Sequence, residues 1–279
     1  MTSLTIGINP HIVVNYNNVV MGIIFPDMTT IGSSSLLANK YSVSGANELC
    51  LLNVTTLPNK ELILYGIISR TTNTCFIPLT VGRRIRTIKN VEYLLKKRIG
   101  KVIIKLDSIT NPEFVVNCVE WFRDQHTISL VDCKTTNSAY KTFGHSGLRS
   151  TETNTMEHLY KLIQYSADKI LSSLINKDGT NDSYDTPWLK SVFQLVNVPV
   201  ILSRRESKFR HVVSAIIEGS ISAVFLVTVS HYDKYSISQL KYFLERYVIF
   251  IWDTTYTMVY VIKKKENRKH MFKYIIKKT

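Results

Sequence analysis

The first third of the chain alternates short apolar runs with turn residues, and this pattern predicts strands. Many residues in these runs are β-branched or aromatic, and polar pairs such as Asn17–Asn18 separate them. The predicted strands are Leu4–Ile8, His11–Tyr16, Val19–Phe25, Leu51–Val54, Leu62–Ser69 and Thr74–Leu79. We therefore expect a β-rich region over residues 1–81 with one helix at most.

From about residue 88 the apolar spacing becomes helical, and predicted helices alternate with predicted strands. Ile88, Val91, Leu94 and Leu95 share one helical face, and Gly100 is a plausible helix stop. A long polar loop is expected over 134–153. The predicted helices cover 88–99, 111–122, 154–175, 187–195, 206–218 and 236–246, and the predicted strands cover 101–106, 127–131, 198–202, 222–229 and 247–252.

The alternation of strands with helices predicts an α/β fold. The runs at 222–229 and 247–252 are almost continuously apolar, which is typical of parallel strands covered by helices on both faces. The last strands, Thr257–Lys263 and Met271–Lys277, predict an exposed basic hairpin. The expected architecture is a β-rich N-terminal region (1–81) followed by a basic α/β domain (82–279), with a mainly parallel sheet, flanking helices and a C-terminal β-hairpin.

Composition bounds the class of protein. Hydrophobic residues make up 45% of the 279 and charged residues 20%, as in globular proteins with a substantial core. The four cysteines lack metal-ligand spacing, which favours a reducing compartment. The start of the chain does not resemble a signal peptide, and no apolar run reaches the length of a membrane span. We expect an intracellular protein, cytoplasmic or nuclear, without a membrane partner.

The net charge of +14 comes from two segments. Residues 82–105 carry net +8 and residues 263–279 carry net +7, so the rest of the chain is nearly neutral. Lysine and arginine gathered in this way favour contact with a polyanion such as DNA or RNA. The alternative roles are compensation of a helix dipole by Lys96–Arg98 and protection of a sheet edge by the hairpin. The candidate nucleic-acid-binding residues are Arg83, Arg84, Arg86, Lys89, Lys96, Lys97, Arg98, Lys101, Lys263, Lys264, Lys265, Arg268, Lys269 and Lys273.

Polar residues also follow several predicted strands of the parallel sheet. Ligands bind beyond the carboxyl ends of such strands, so these residues form a second candidate site. Carboxylates there could hold Mg²⁺, arginines could bind phosphate, and a histidine could act as acid or base. Capping of the following helices is the structural alternative. The residues are Asp107, Asp132, Arg204, Arg205, His231 and Asp253.

The loop Thr142–Thr151 is the segment most like a motif. It holds two glycines, several hydroxyls, His145 and Arg149 shortly before a predicted helix. Its backbone N–H groups could receive an anion, although the spacing is neither that of a P-loop nor that of a nucleophile elbow. We predict Arg149 as a phosphate-binding residue and His145 as a weak catalytic candidate; a surface loop is the alternative.

Three functions are compatible with these patterns. The first is a non-enzymatic nucleic-acid-binding protein, acting alone or within a larger complex, and it needs no cofactor. The second is a metal-assisted enzyme for phosphoesters or nucleotides at the strand-end site, in which Mg²⁺ would be the cofactor. The third is an assembly subunit whose basic surfaces meet an acidic protein. The two basic segments favour the first.

Overall fold

The fold is taken from a computed structural model, which describes most of the chain. The described residues are 6–16, 18–21, 29–54, 61–82, 85, 87–105, 112–122, 127–136, 139–144, 149–164, 169–174, 185–204, 209–226, 236–247, 256–265 and 268–277.

Eight parallel strands close into a barrel. They are β1 (Gly7–Asn15), β4 (Leu49–Asn53), β5 (Leu79–Gly82), β6 (Lys101–Lys105), β7 (Thr127–Thr136), β10 (Ile170–Leu174), β11 (Val200–Arg204) and β12 (Ala223–Leu226). Each strand pairs with the next in this order, and pairing of β12 with β1 completes the ring.

One helix follows each barrel strand. These helices are α1 (Ser34–Val43), α2 (Glu61–Thr72), α3 (Ile88–Lys96), α4 (Pro112–Phe122), α5 (Thr155–Gln164), α6 (Thr186–Leu195), α7 (Phe209–Gly219) and α8 (Ile237–Glu245). Capping fixes several of the starts: Thr87 and Asn90 form a capping box on α3, and Ser236 and Gln239 form another on α8. The repeated strand–helix unit is that of a (β/α)8 barrel.

Two antiparallel insertions extend the barrel wall. Strands β2 (Asn18–Met21) and β3 (Thr29–Gly32) follow β1, and β2 pairs back onto the last residues of β1. Strands β8 (Ala139–Gly144) and β9 (Arg149–Asn154) follow β7, and β8 pairs with Cys133–Thr136. Both insertions therefore stand at the carboxyl end of the parallel strands.

The α/β fold class is confirmed, and so is the C-terminal hairpin. Strands β13 (Tyr256–Lys265) and β14 (Arg268–Lys277) pair in a separate two-stranded antiparallel sheet. The parallel sheet is closed rather than open, however, and strands on both sides of the predicted boundary at residue 81 belong to it. Residues 248–252 of the last predicted parallel strand lie outside the described residues.

Several local predictions were wrong. Residues 1–81 contain two helices, α1 and α2, where one at most was expected, and Thr74–Pro78 precede β5 instead of forming a strand. The apolar run Leu62–Ser69 lies in α2 and not in a strand, because a short apolar run is ambiguous between a buried helix and a strand. The helix predicted over 154–175 ends at Gln164, and its last part is strand β10. The polar loop predicted over 134–153 contains the end of β7 and strands β8 and β9.

Side chains of alternate strands fill the barrel in layers. The strand registers place Asn9, Thr80, Ile128 and Ile201 in the layer nearest the amino end, followed by Cys50, Ile103, Leu171 and Phe225, and then by His11, Gly82, Leu130 and Ser203. Such layers of four are typical of this barrel. The intervening residues face outward and pack against the helices in the larger core cluster.

The described part of the chain contains no helix that is long and apolar enough to cross a membrane.

Gly82 gives a test of the inner packing. A Cβ atom at this position would lie 2.5 Å from Leu52 Cδ2 and 2.7 Å from Ile103 Cβ, which is too close for either contact. Gly82→Ala is therefore expected to destabilise the protein by ~1–3 kcal/mol in urea unfolding. Gly66→Ala in α2 is the matched control, because its nearest neighbour would be Arg70 Nη1 at 3.7 Å. Equal stability of the two variants would contradict the packing described.

His158 gives a test of the helix layer. The side chain is buried on α5, and burial, aided by the charge of Lys161, lowers its pKa to about 4 from 6.5. Below pH 6.5 this histidine is protonated in the unfolded chain but stays neutral in the native state. Stability is therefore lost as the pH falls toward 4. We expect a loss of about 2 kcal/mol between pH 7.5 and pH 5 from this residue. His158→Gln should remove that part of the pH dependence in urea unfolding; an unchanged dependence would contradict the assignment.

Candidate active site at the carboxyl end of the barrel

Asp132 is a carboxylate on the inner wall of the barrel. It lies on β7, two residues beyond Leu130 on the same face, and only 2% of its surface is exposed. Its register partner on β10 is Ser173. Strand β10 pairs in turn with β11, where Ser172 lies opposite Leu202. A buried carboxylate on the inner wall toward the carboxyl end of a barrel is a candidate for chemistry.

His11 lies on β1 and faces the same interior. It is 5% exposed, and its Nδ1 lies 3.4 Å from Ser203 Oγ on β11. The ring also packs at a tilt against Phe225, with 6.5 Å between centroids. Asn9 lies two residues earlier on the same face, and its side-chain oxygen is buried with no hydrogen-bond partner among the described residues. An unpaired buried amide oxygen costs free energy, so polar groups here depart from what packing alone requires.

The amino end of the barrel is closed by a charged pair. Lys101 Nζ donates a hydrogen bond to Glu48, and the hydroxyl of Thr80 donates to the same carboxylate. Glu48 is buried, and the lysine supplies the opposite charge that such burial requires. This network lies at the beginning of the strands, away from Asp132.

The β8–β9 insertion is anchored beside the carboxyl end. The Tyr140 hydroxyl lies 3.0 Å from both carboxylate oxygens of Asp185, which also caps α6 by accepting from the Trp188 backbone N–H. The Tyr140 and Trp188 rings are 4.4 Å apart, and Trp188 Nε1 donates to Ser172 Oγ. Burial, together with Asp185, raises the pKa of Tyr140 to about 12, so the hydroxyl stays a donor at neutral pH.

Three of the residues predicted at the strand ends and in the 142–151 loop lie among the described residues. Asp132 faces the barrel interior, and Arg204 is the last residue of β11. Arg149 begins β9 of the insertion. The remaining members of the two predicted sets, Asp107, His145, Arg205, His231 and Asp253, lie outside the described residues.

The described side chains form no group of three histidine, cysteine, aspartate or glutamate residues that could hold a metal ion. All four cysteines are free thiols. Burial raises the pKa of Cys118 to about 12, which leaves that thiol protonated and unreactive.

The closed barrel with a buried carboxylate facing its interior agrees with a comparison of families. A family model described as "Histidine biosynthesis protein" matches residues 7–236, which include all eight barrel strands. This chain belongs to the histidine biosynthesis protein family. The match ends before the terminal hairpin.

Membership of the histidine biosynthesis protein family overturns the prediction of a non-enzymatic nucleic-acid-binding protein. The DNA or RNA partner inferred from the basic segments was wrong with it. The family instead implies metabolism of small molecules, for which a barrel interior is suited and a polyanion surface is not needed.

The basic residues have other positions in the barrel. Lys89, Lys96, Lys97 and Arg98 are exposed on or just after α3, where the last three compensate the helix dipole. Lys97 also lies over the Tyr93 ring, and Lys101 forms a salt bridge with Glu48. Arg83, Arg84 and Arg86 lie outside the described residues. The other predicted residues, Lys263, Lys264, Lys265, Arg268, Lys269 and Lys273, belong to the strands of the terminal hairpin.

Sequence reasoning missed Asn9, His11 and Ser203. His11 begins one of the predicted strands, and a period of two along β1 places Asn9 and His11 on one face with apolar Ile8 and Ile12 on the other. That alternation shows from the sequence that Asn9 and His11 share a face of the strand. It does not show that this face lies inside a closed barrel.

Tyr140 tests the anchoring of the insertion. Tyr140→Phe removes the hydroxyl from Asp185, and we expect a loss of about 1 kcal/mol in unfolding free energy. Amide hydrogens of β8 and β9 should exchange faster, because the insertion loses one of its ties to α6. Tyr160→Phe, on the exposed face of α5, is the control and should change neither measurement. Unaltered exchange in Tyr140→Phe would show that the hydroxyl does not hold the insertion.

Proposed function

We propose that this chain is an enzyme of histidine biosynthesis that converts a small molecule at the carboxyl end of the barrel, with Asp132 as a general acid or base. The observation that carries the proposal is the position of Asp132. It is a buried carboxylate on the inner wall of a barrel from the histidine biosynthesis family. In (β/α)8 barrels, residues at the carboxyl ends of strands supply the chemistry.

The choice of Asp132 also has an electrostatic basis. Among the described residues, the other buried acidic side chain of the inner wall is Glu48, which is bound to Lys101 and Thr80 at the opposite end of the barrel. Asp132 shares its end of the barrel with serine side chains and with the β8–β9 insertion. A carboxylate in such a position can exchange a proton with a bound molecule within hydrogen-bond reach.

A phosphate or other anionic group on the substrate is part of the proposal. Arg204 ends the seventh barrel strand and Arg205 follows it, and in this fold phosphate groups frequently bind at the loops after strands seven and eight. Arg149 opens the second strand of the insertion at the same end. The guanidinium group suits phosphate because it can donate two parallel hydrogen bonds. An intracellular location, expected from the composition, goes with such a metabolic role.

Genetic complementation tests the proposed function. The chain is expressed in a panel of bacterial strains, each lacking one enzyme of histidine biosynthesis, and growth is measured without histidine. We expect rescue of one strain, and this would also identify the step. Failure to rescue any strain, with folded protein present in the cells, would overturn the proposal.

Asp132→Asn tests the role of the carboxylate in the rescued strain. We expect turnover to fall by about 100-fold or more, as for loss of a general acid or base, while the unfolding transition is kept. Ser129→Ala is the matched control, because Ser129 is equally buried on β7 but faces outward. Growth of Asp132→Asn at the wild-type rate would show that another residue performs the chemistry.

A further inference from the structure

The terminal hairpin is a separate sheet that lies outside the part of the chain matched by the family. Its strands β13 and β14 pair along their whole length, from Tyr256 opposite Lys277 to Lys265 opposite Arg268. The family match ends at residue 236. In the part of the chain that the structure describes, each of these strands pairs only with the other. Each strand therefore has an outer edge whose main-chain groups can pair with a further strand.

Positive charge is concentrated at the turn end of this hairpin. The three pairs nearest the turn are Lys265–Arg268, Lys264–Lys269 and Lys263–His270. Like charges directly opposite each other destabilise an antiparallel pair. The stability of the hairpin therefore has to come from its other end, where Tyr256–Ile262 pair with Met271–Lys277.

This other end of the hairpin is apolar on both faces. Opposed residues share a face, so the register places Val259, Val261 and Phe272 on one face and Met258, Ile262 and Met271 on the other. A two-stranded hairpin is marginally stable in water, whereas three or more strands with an apolar face can be stable on their own. The pattern therefore indicates that the hairpin belongs to a larger sheet.

The two outer edges of the hairpin differ in charge. Strand β13 contains the uncharged run Tyr256–Ile262, which is rich in β-branched and aromatic residues and has neither proline nor glycine. Strand β14 carries Lys273 and Lys277 opposite the same run. Proteins place charged residues, especially lysine, on strand edges to prevent pairing with another chain. The edge of β14 is thus protected, and the edge of β13 is suited to pairing.

A second copy of β13 fits this edge. Antiparallel pairing centred on Val259 would align the two uncharged runs over their full length. Lys263 of one copy would then lie about eight positions along the sheet from Lys263 of the other, or about 26 Å, well beyond the Debye length of about 8 Å. Parallel pairing would instead place Lys263–Lys265 of the two copies side by side. Charge therefore selects the antiparallel arrangement.

We propose that the terminal hairpin joins two copies of this chain through antiparallel pairing of β13 with β13 around a two-fold axis at Val259. The result is a four-stranded sheet with β14 at both outer edges, where Lys273 prevents the addition of further strands. Such a two-fold contact is closed, so assembly stops at the dimer. This proposal concerns assembly and does not depend on the reaction that the barrel catalyses.

Sedimentation equilibrium of the full chain tests the contact. We expect a reversible monomer–dimer equilibrium over about 1–100 μM. Val259→Lys should weaken dimerisation by about 10-fold or more, because the two-fold axis places the two new charges opposite each other. Tyr274→Lys is the matched control, since it adds the same charge to the same register pair but on β14, and should leave the dimer intact. A monomeric wild type, or equal weakening by both variants, would overturn the proposal.

Disulfide cross-linking tests the position of the axis without adding charge. The partly exposed Cys75 is first changed to serine. Val259→Cys should then form a disulfide between two copies on oxidation, because opposed residues of antiparallel strands have Cα atoms about 4.5–5.5 Å apart, within disulfide range. Tyr274→Cys is the control: its two copies would lie three strand spacings apart, about 14 Å, and should not cross-link. Equal cross-linking of the two variants, or none in Val259→Cys, would contradict the proposed axis.

Discussion

Closure of the parallel sheet is the constraint on which the rest of this structure depends. Pairing of β7 with β10 and of β12 with β1 leaves no barrel strand with an open edge, so the main-chain groups of the ring are satisfied by its own neighbours. The ring separates an outer core shared with the helices from an inner core of eight tightly packed residues. It also brings the carboxyl ends of all eight strands around one opening.

The two ends of the barrel use polar residues differently. At the amino end Glu48, Thr80 and Lys101 satisfy one another, and the network serves closure. Toward the carboxyl end, histidine, serine and aspartate project from separate strands and lie above a continuous apolar layer. Polar side chains are therefore structural at the amino end and candidates for chemistry at the carboxyl end. It also accounts for Lys101, whose charge belongs to the interior.

The sequence predicted the strand–helix alternation after residue 88 well, because amphipathic helices such as α3 and α7 carry a clear period and strong caps. It predicted α2 poorly, since Leu62–Ser69 is apolar at nearly every position and offers no period. The helix and strand between 154 and 174 merged for a different reason, because Ile170, Leu171 and Leu174 of β10 continue the helical spacing of α5. Asp132 could be found as a residue that follows a strand, whereas His11 could not, because its importance depends on a ring that closes over long separations in the chain. Charge clustering misled the functional prediction, since it records where lysine is abundant and not what each lysine contacts.

The strict alternation along β1 has a consequence for how this protein can change in evolution. Asn9 and His11 look inward only because an even number of bonds along the strand separates them, with Ile8 and Ile12 turned to the helices. Deletion or insertion of a single codon here would exchange the two sets at a stroke. Asn9 and His11 would then face the apolar core between the strands and the helices, and isoleucines would face the barrel interior. The first strand can therefore accept substitutions one at a time but tolerates no change in length, and variation in length is confined to the segments between the strands.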